Sequence, residues 1–93
     1  MEKVSKDKSR VTITEYTISQ IDSDGEVVDV LDHKDTKAEA VEAARRYVGD
    51  EVLAVVVEKV ITRHPMHLHR DPRTWDIVFT IGDENALRAG DWV

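Results

Sequence analysis

The sequence predicts a two-layer α+β domain of order ββαββ, a mostly antiparallel sheet with one amphipathic helix packed on one face. Three observations predict it. A D-S-D-G turn joins two β-branched segments, a capped alanine-rich helix follows, and two more strand-like segments flank a proline-bearing loop. At 93 residues and 10.6 kDa the chain holds one modest core and too little mass for a deep enzyme cleft.

Residues 1–9 mix Lys, Asp, Ser and Glu around Val4 and read as a mobile tail ahead of a single domain over 10–93. From Arg10 to Ile21 the chain turns to Val, Ile, Thr and Tyr, whose stiff side chains suit a pleated strand. Alternation breaks within it, since Val11 and Ile13 fall on one face and Tyr16 and Ile18 on the other. Either a bulge near Glu15 resets the register, or both faces are partly covered. Asp22-Ser23-Asp24-Gly25 turns the chain into a returning strand, Glu26 to Leu31. The aspartate spacing is that of a calcium loop, but the twelfth position, which needs glutamate, is His33.

Thr36 and Glu39 form a T-x-x-E capping box that opens a helix over 36–48. Ala40, Val41, Ala44, Tyr47 and Val48 make its apolar stripe, and Gly49 sits where a left-handed cap glycine belongs. Glu51 to Thr62 is the next strand. Its first half is apolar on both faces, with Val52, Ala54 and Val56 on one and Leu53, Val55 and Val57 on the other. One helix covers one face, so the second is an exposed apolar patch or is closed by something else. In the last strand, Thr74 to Ile81, alternation puts Trp75, Ile77, Phe79 and Ile81 together on the core face. After Gly82, Asp83 caps a short helical turn through Leu87, ending at Gly90.

The net charge of −6 is uneven. Between residues 20 and 58 eleven acids oppose Lys34, Lys37, Arg45 and Arg46. Residues 59–73 reverse this with Lys59, Arg63, Arg70 and Arg73 against Asp71. The acidic whole argues against nucleic acid as a partner. The absence of cysteine excludes disulfides, thiolate metal sites and cysteine nucleophiles. No apolar run reaches membrane-spanning length, and MEKVSKDKSR carries no signal-peptide core, so no membrane association and a cytoplasmic location are expected.

The segment Asp32-His33-Lys34-Asp35-Thr36-Lys37-Ala38-Glu39-Ala40-Val41-Glu42-Ala43-Ala44-Arg45 resembles the helix start of small hairpin–helix–hairpin proteins of unknown function found in bacteria and phages. The resemblance implies the ββαββ fold and no chemistry, because such proteins carry no agreed activity or catalytic residues.

Chemistry-bearing patterns are sparse. There is no G-x-S-x-G elbow, phosphate-binding G-x-x-x-x-G-K-[ST] loop or G-x-G-x-x-G turn, so a non-enzymatic protein without cofactors is expected. The function read from the residues is an interaction module that pairs as a homodimer through the helix-free sheet face, with Val52, Leu53, Val55, Val56 and Val57 as its interface candidates. An alternative is an acidic phage-type inhibitor offering Asp22, Asp24, Glu26, Asp29 and Asp32 to a basic groove of a host protein. A third is the loop after the third strand. His64, His67 and His69 offer imidazoles to a metal, and Arg63, Arg70 and Arg73 offer contacts to an anion.

Overall fold

The computed structural model describes residues 12–49, 51–63 and 73–93, with Arg63 as backbone only. The expected tail over 1–9, together with His64, His67, His69 and Arg70, lies outside the described residues. Four strands and two helices follow one another as β1 (Thr12–Ile21), β2 (Val27–Lys34), α1 (Lys37–Tyr47), β3 (Ala54–Arg63), β4 (Arg73–Gly82) and α2 (Glu84–Ala89). The strands form one antiparallel sheet in the order β2-β1-β3-β4, with α1 packed on it. The predicted α+β class and ββαββ order hold.

β1 and β3 are the inner strands, paired without interruption from Thr12↔Arg63 to Ile21↔Ala54. No bulge resets β1 near Glu15. Its broken alternation arises because both faces are partly covered: Tyr16 and Ile18 pack beneath α1, and Ile21 packs on the opposite side. The turn between β1 and β2 is held by the Asp22 carboxylate, whose Oδ1 accepts from the backbone N–H groups of Asp24 (2.9 Å) and Glu26 (3.0 Å). Gly25 there has φ +83°, a left-handed conformation that costs glycine no Cβ clash.

Helix α1 starts as its capping residues dictate. Thr36 Oγ1 accepts from the Glu39 backbone N–H at 3.2 Å, and its hydroxyl donates to Glu39 Oε1 at 3.0 Å. Ala40 and Ala44 let the helix lie close over Ile18, Val55 and Val57, and all five are fully buried. The exit differs from the expectation. Val48, not a left-handed Gly49, ends the helix by turning extended (φ −67°, ψ 128°), and the Gly49 N–H bonds the carbonyl of Val52. The short connection to β3 needs an extended exit, and a left-handed cap would aim the chain elsewhere.

The larger correction is in β4. Val57 pairs with Phe79 but Glu58 pairs with Ile77, leaving Val78 as an extra residue. This bulge shifts the side-chain phase. Phe79 and Ile81 pack under α1, whereas Ile77 and Trp75 turn to the helix-free side and stand about half exposed (45% and 49%). Trp75 is therefore not a core residue.

Candidate interaction face

Among the described residues, the helix-free face is covered at one end. There Ile21, Ala54 and Val56 are covered by Ala86 and Leu87 of α2 and by Trp92. Asp83 caps α2 by accepting from the Ala86 N–H at 2.9 Å. Beyond α2 the chain folds back onto the β1–β2 turn. Trp92 Nε1 donates to the Gly25 carbonyl at 2.7 Å, and the Gly25 and Gly90 backbones meet so closely that a Cβ on either would strike the other. This C-terminal clamp is the additional cover that the doubly apolar strand required.

It also settles where the predicted interface residues lie. Val55 and Val57 are under α1, Val56 is under the clamp, and all three are inaccessible inside the protomer. Val52 is half-buried against the α1 side, and Leu53 is exposed at the strand's start. The accessible part of the helix-free face lies farther along the sheet.

That part is a trough of about 380 Å³. Its floor is made by small residues of the inner strand, Thr17 and Ser19, which are buried by their taller neighbours. One rim is formed on edge strand β2 by Val27, Val30 and His33, and the other on edge strand β4 by Arg73, Trp75 and the adjacent Ile77. Val60 and Glu58 continue the floor along β3. The register places His33, Thr17, Glu58 and Ile77 in one row across the four strands, with Glu15, Val60 and Trp75 in the next. Thr17 Oγ1 lies 3.5 Å from His33 Nδ1. Among the described residues no buried side-chain nitrogen or oxygen lacks a partner.

Glu58 is the one acid in the middle of this apolar surround. Loss of water there raises its carboxyl above the ordinary glutamate value.

The acids singled out from the sequence have different surroundings. Asp22 spends its carboxylate on the turn. Asp32 lies opposite Ile18, on the helix side of β2. It accepts from the His33 N–H at 2.7 Å, bonds the Tyr47 hydroxyl at 3.4 Å and pairs with Lys34. Chiefly through the His33 N–H, with Lys34 and Tyr47 assisting, its carboxyl is held below the usual range. Asp24, Glu26 and Asp29 are exposed. Of the proposed anion contacts, Arg73 is described, and it stands at the end of the β4 rim. Among the described residues no group of three His, Asp or Glu side chains could share a metal ion, and no helix is long and apolar enough to cross a membrane.

Compared with known proteins, the chain matches no family model, no curated protein and no solved structure. Its function has to be read from the face itself. That face has two largely apolar rims, a small-residue floor and a desolvated carboxylate.

Proposed function

We propose that the protein is a small, non-enzymatic interaction module that self-associates through the trough on the helix-free face of its sheet. The observation that supports this best is the exposure of Trp75 and Ile77 on the same face as the half-exposed Val27 and Val30, while the opposite face is closed by α1. An apolar, aromatic patch of this kind is what proteins bury against a partner.

Shape and area favour a second copy as that partner. The Trp75–Ile77 rim is convex and the Thr17–Ser19 floor is concave, so two copies related by a two-fold axis seat the rim of each in the trough of the other. Four strands about 4.8 Å apart, open over about eight residues of about 3.3 Å, give roughly 500 Å² per copy and roughly 1,000 Å² in the pair. That is the lower bound of a specific interface, so the dimer is concentration-dependent. The face carries Glu15 and Glu58 together with Arg73 and His33, a more mixed set than the net charge of −6 of the chain suggests.

Light scattering behind size exclusion, over a hundredfold dilution, tests the proposal. The mass is expected to rise from 10.6 kDa at the dilute end towards twice that value. Trp75→Lys and Ile77→Lys should each hold it at the monomer with unchanged circular dichroism. A monomer throughout, or dimers insensitive to both substitutions, overturns the reading.

A further inference from the structure

We infer that self-association on this face is proton-linked, with Glu58 as the group that takes up the proton when the trough closes. The inference rests on the self-association proposed above and adds its regulation.

The argument is geometric. Glu58 lies in the floor of the trough, between Thr17 and Ile77 across the sheet and Val56 and Val60 along its strand. Ile77, its immediate cross-strand neighbour, belongs to the rim that must be buried if two copies seat reciprocally. Any partner covering Ile77 and Trp75 therefore removes most of the remaining water from Glu58. A carboxylate so enclosed is costly unless it is paired or protonated.

Among the described residues, Glu58 from β3, Glu15 from β1, His33 from β2 and Arg73 from β4 are the charged or titratable groups that line the trough. Glu15 lies one row away, opposite Val60. His33 is in the same row as Glu58 but two strands away, with its Nδ1 near the Thr17 hydroxyl. Arg73 is two rows off, opposite Thr62 at the end of the rim. Neither His33 nor Arg73 is the cross-strand neighbour of Glu58. Lys59 and Asp76 belong to the opposite side of the sheet. In the free protein, burial already raises the Glu58 carboxyl, so closure of the face acts in the same direction.

The sign follows. A group whose proton affinity rises on association takes up a proton as the complex forms. The complex is then favoured at low pH and weakens as pH rises through the bound-state value, by at most about tenfold in Kd per pH unit for each proton, of which the two-fold dimer takes up two.

The experiment is sedimentation equilibrium of the full chain, wild type and Glu58→Gln, at about pH 8 and about pH 5.5. The wild type is expected to bind itself roughly tenfold more tightly at the lower pH, and the Gln variant to bind tightly at both, because it presents the same shape without the charge. His33→Asn is expected to keep the wild-type pH dependence. Dilution calorimetry of the wild type in two buffers of different ionisation enthalpy should show proton release on dissociation, which requires no variant. A dimer of equal strength at both pH values, a pH dependence that survives in Glu58→Gln, or one lost in His33→Asn overturns the proton assignment and leaves the dimer standing. Monomers in all samples, Glu58→Gln included, overturn both.

Discussion

Glu58 and Trp92 show how much one side chain decides here. In the folded monomer the ionised Glu58 is disfavoured by its surroundings. It costs nothing below the pKa of the unfolded chain, and the cost grows as pH rises through the folded value. Glu58→Gln is therefore expected to be more stable than wild type near neutral pH and equal to it in acid. The gain is a few tenths of a kcal/mol, about the size of partly exposed electrostatic effects, and urea unfolding at the two pH values checks it. Asp32 titrates in the opposite sense. Its lowered carboxyl contributes stability at neutral pH that is lost as pH falls through the folded value. Trp92→Phe keeps most of the apolar cover over Ile21 and Ala54 but removes the Nε1–Gly25 hydrogen bond. It should cost about 1 kcal/mol. Gly25→Ala adds a Cβ to a left-handed residue pressed against Gly90, so a loss of about 3 kcal/mol or more is expected in thermal unfolding.

At the scale of elements, α1 and the two hairpins are legible because their signals are local. Thr36 and Glu39 are three residues apart, and Asp22 to Gly25 make a turn with their own side chains. Thr36→Ala should accordingly cost about 1 kcal/mol without altering the sheet. The β4 bulge is not legible in the same way. Trp75, Ile77, Phe79 and Ile81 alternate evenly, and Val78 is apolar too, so nothing in the residues says that Val78 drops out of the ladder and turns Trp75 outward. The interface candidates of β3 fail for a related reason. A doubly apolar strand says that two covers exist, but not that the second is the chain's own Ala86, Leu87 and Trp92. Val55→Asp and Val56→Asp are thus both expected to unfold the domain, one beneath α1 and the other beneath α2, while Trp75→Lys leaves circular dichroism unchanged.

For the molecule as a whole, strand order creates the candidate face. Because β1 and β3 are inner and β2 and β4 are edges, the small Thr17 and Ser19 form a floor and the bulky residues of the edge strands form rims. Residue types alone show small and large side chains but not which strands are inner, so the trough was not readable before the order was known. Among the described residues the same order makes β2 and β4 the sheet edges, and bulges interrupt both outer pairings, between Ile18 and Ser19, between Gln20 and Ile21, and at Val78. Irregular edges discourage strand-to-strand addition. This fits association by faces, and raising the salt concentration should weaken it little, since apolar rims dominate the contact.

The clamp between Trp92 and Gly25 joins groups 67 residues apart in the chain. Each hairpin is a local event of microseconds, but the clamp waits until the two hairpins have met along β1 and β3 and α2 has formed. Until then Ile21, Ala54 and Val56 lie open on the same face as Val60, Ile77 and Trp75, an apolar stretch broken on β3 only by Glu58. The protein is therefore stickiest just before it is finished. A refolding reaction started at high concentration should lose material to aggregation, and loosening the clamp with Trp92→Ala should lengthen that exposed interval and enlarge the loss.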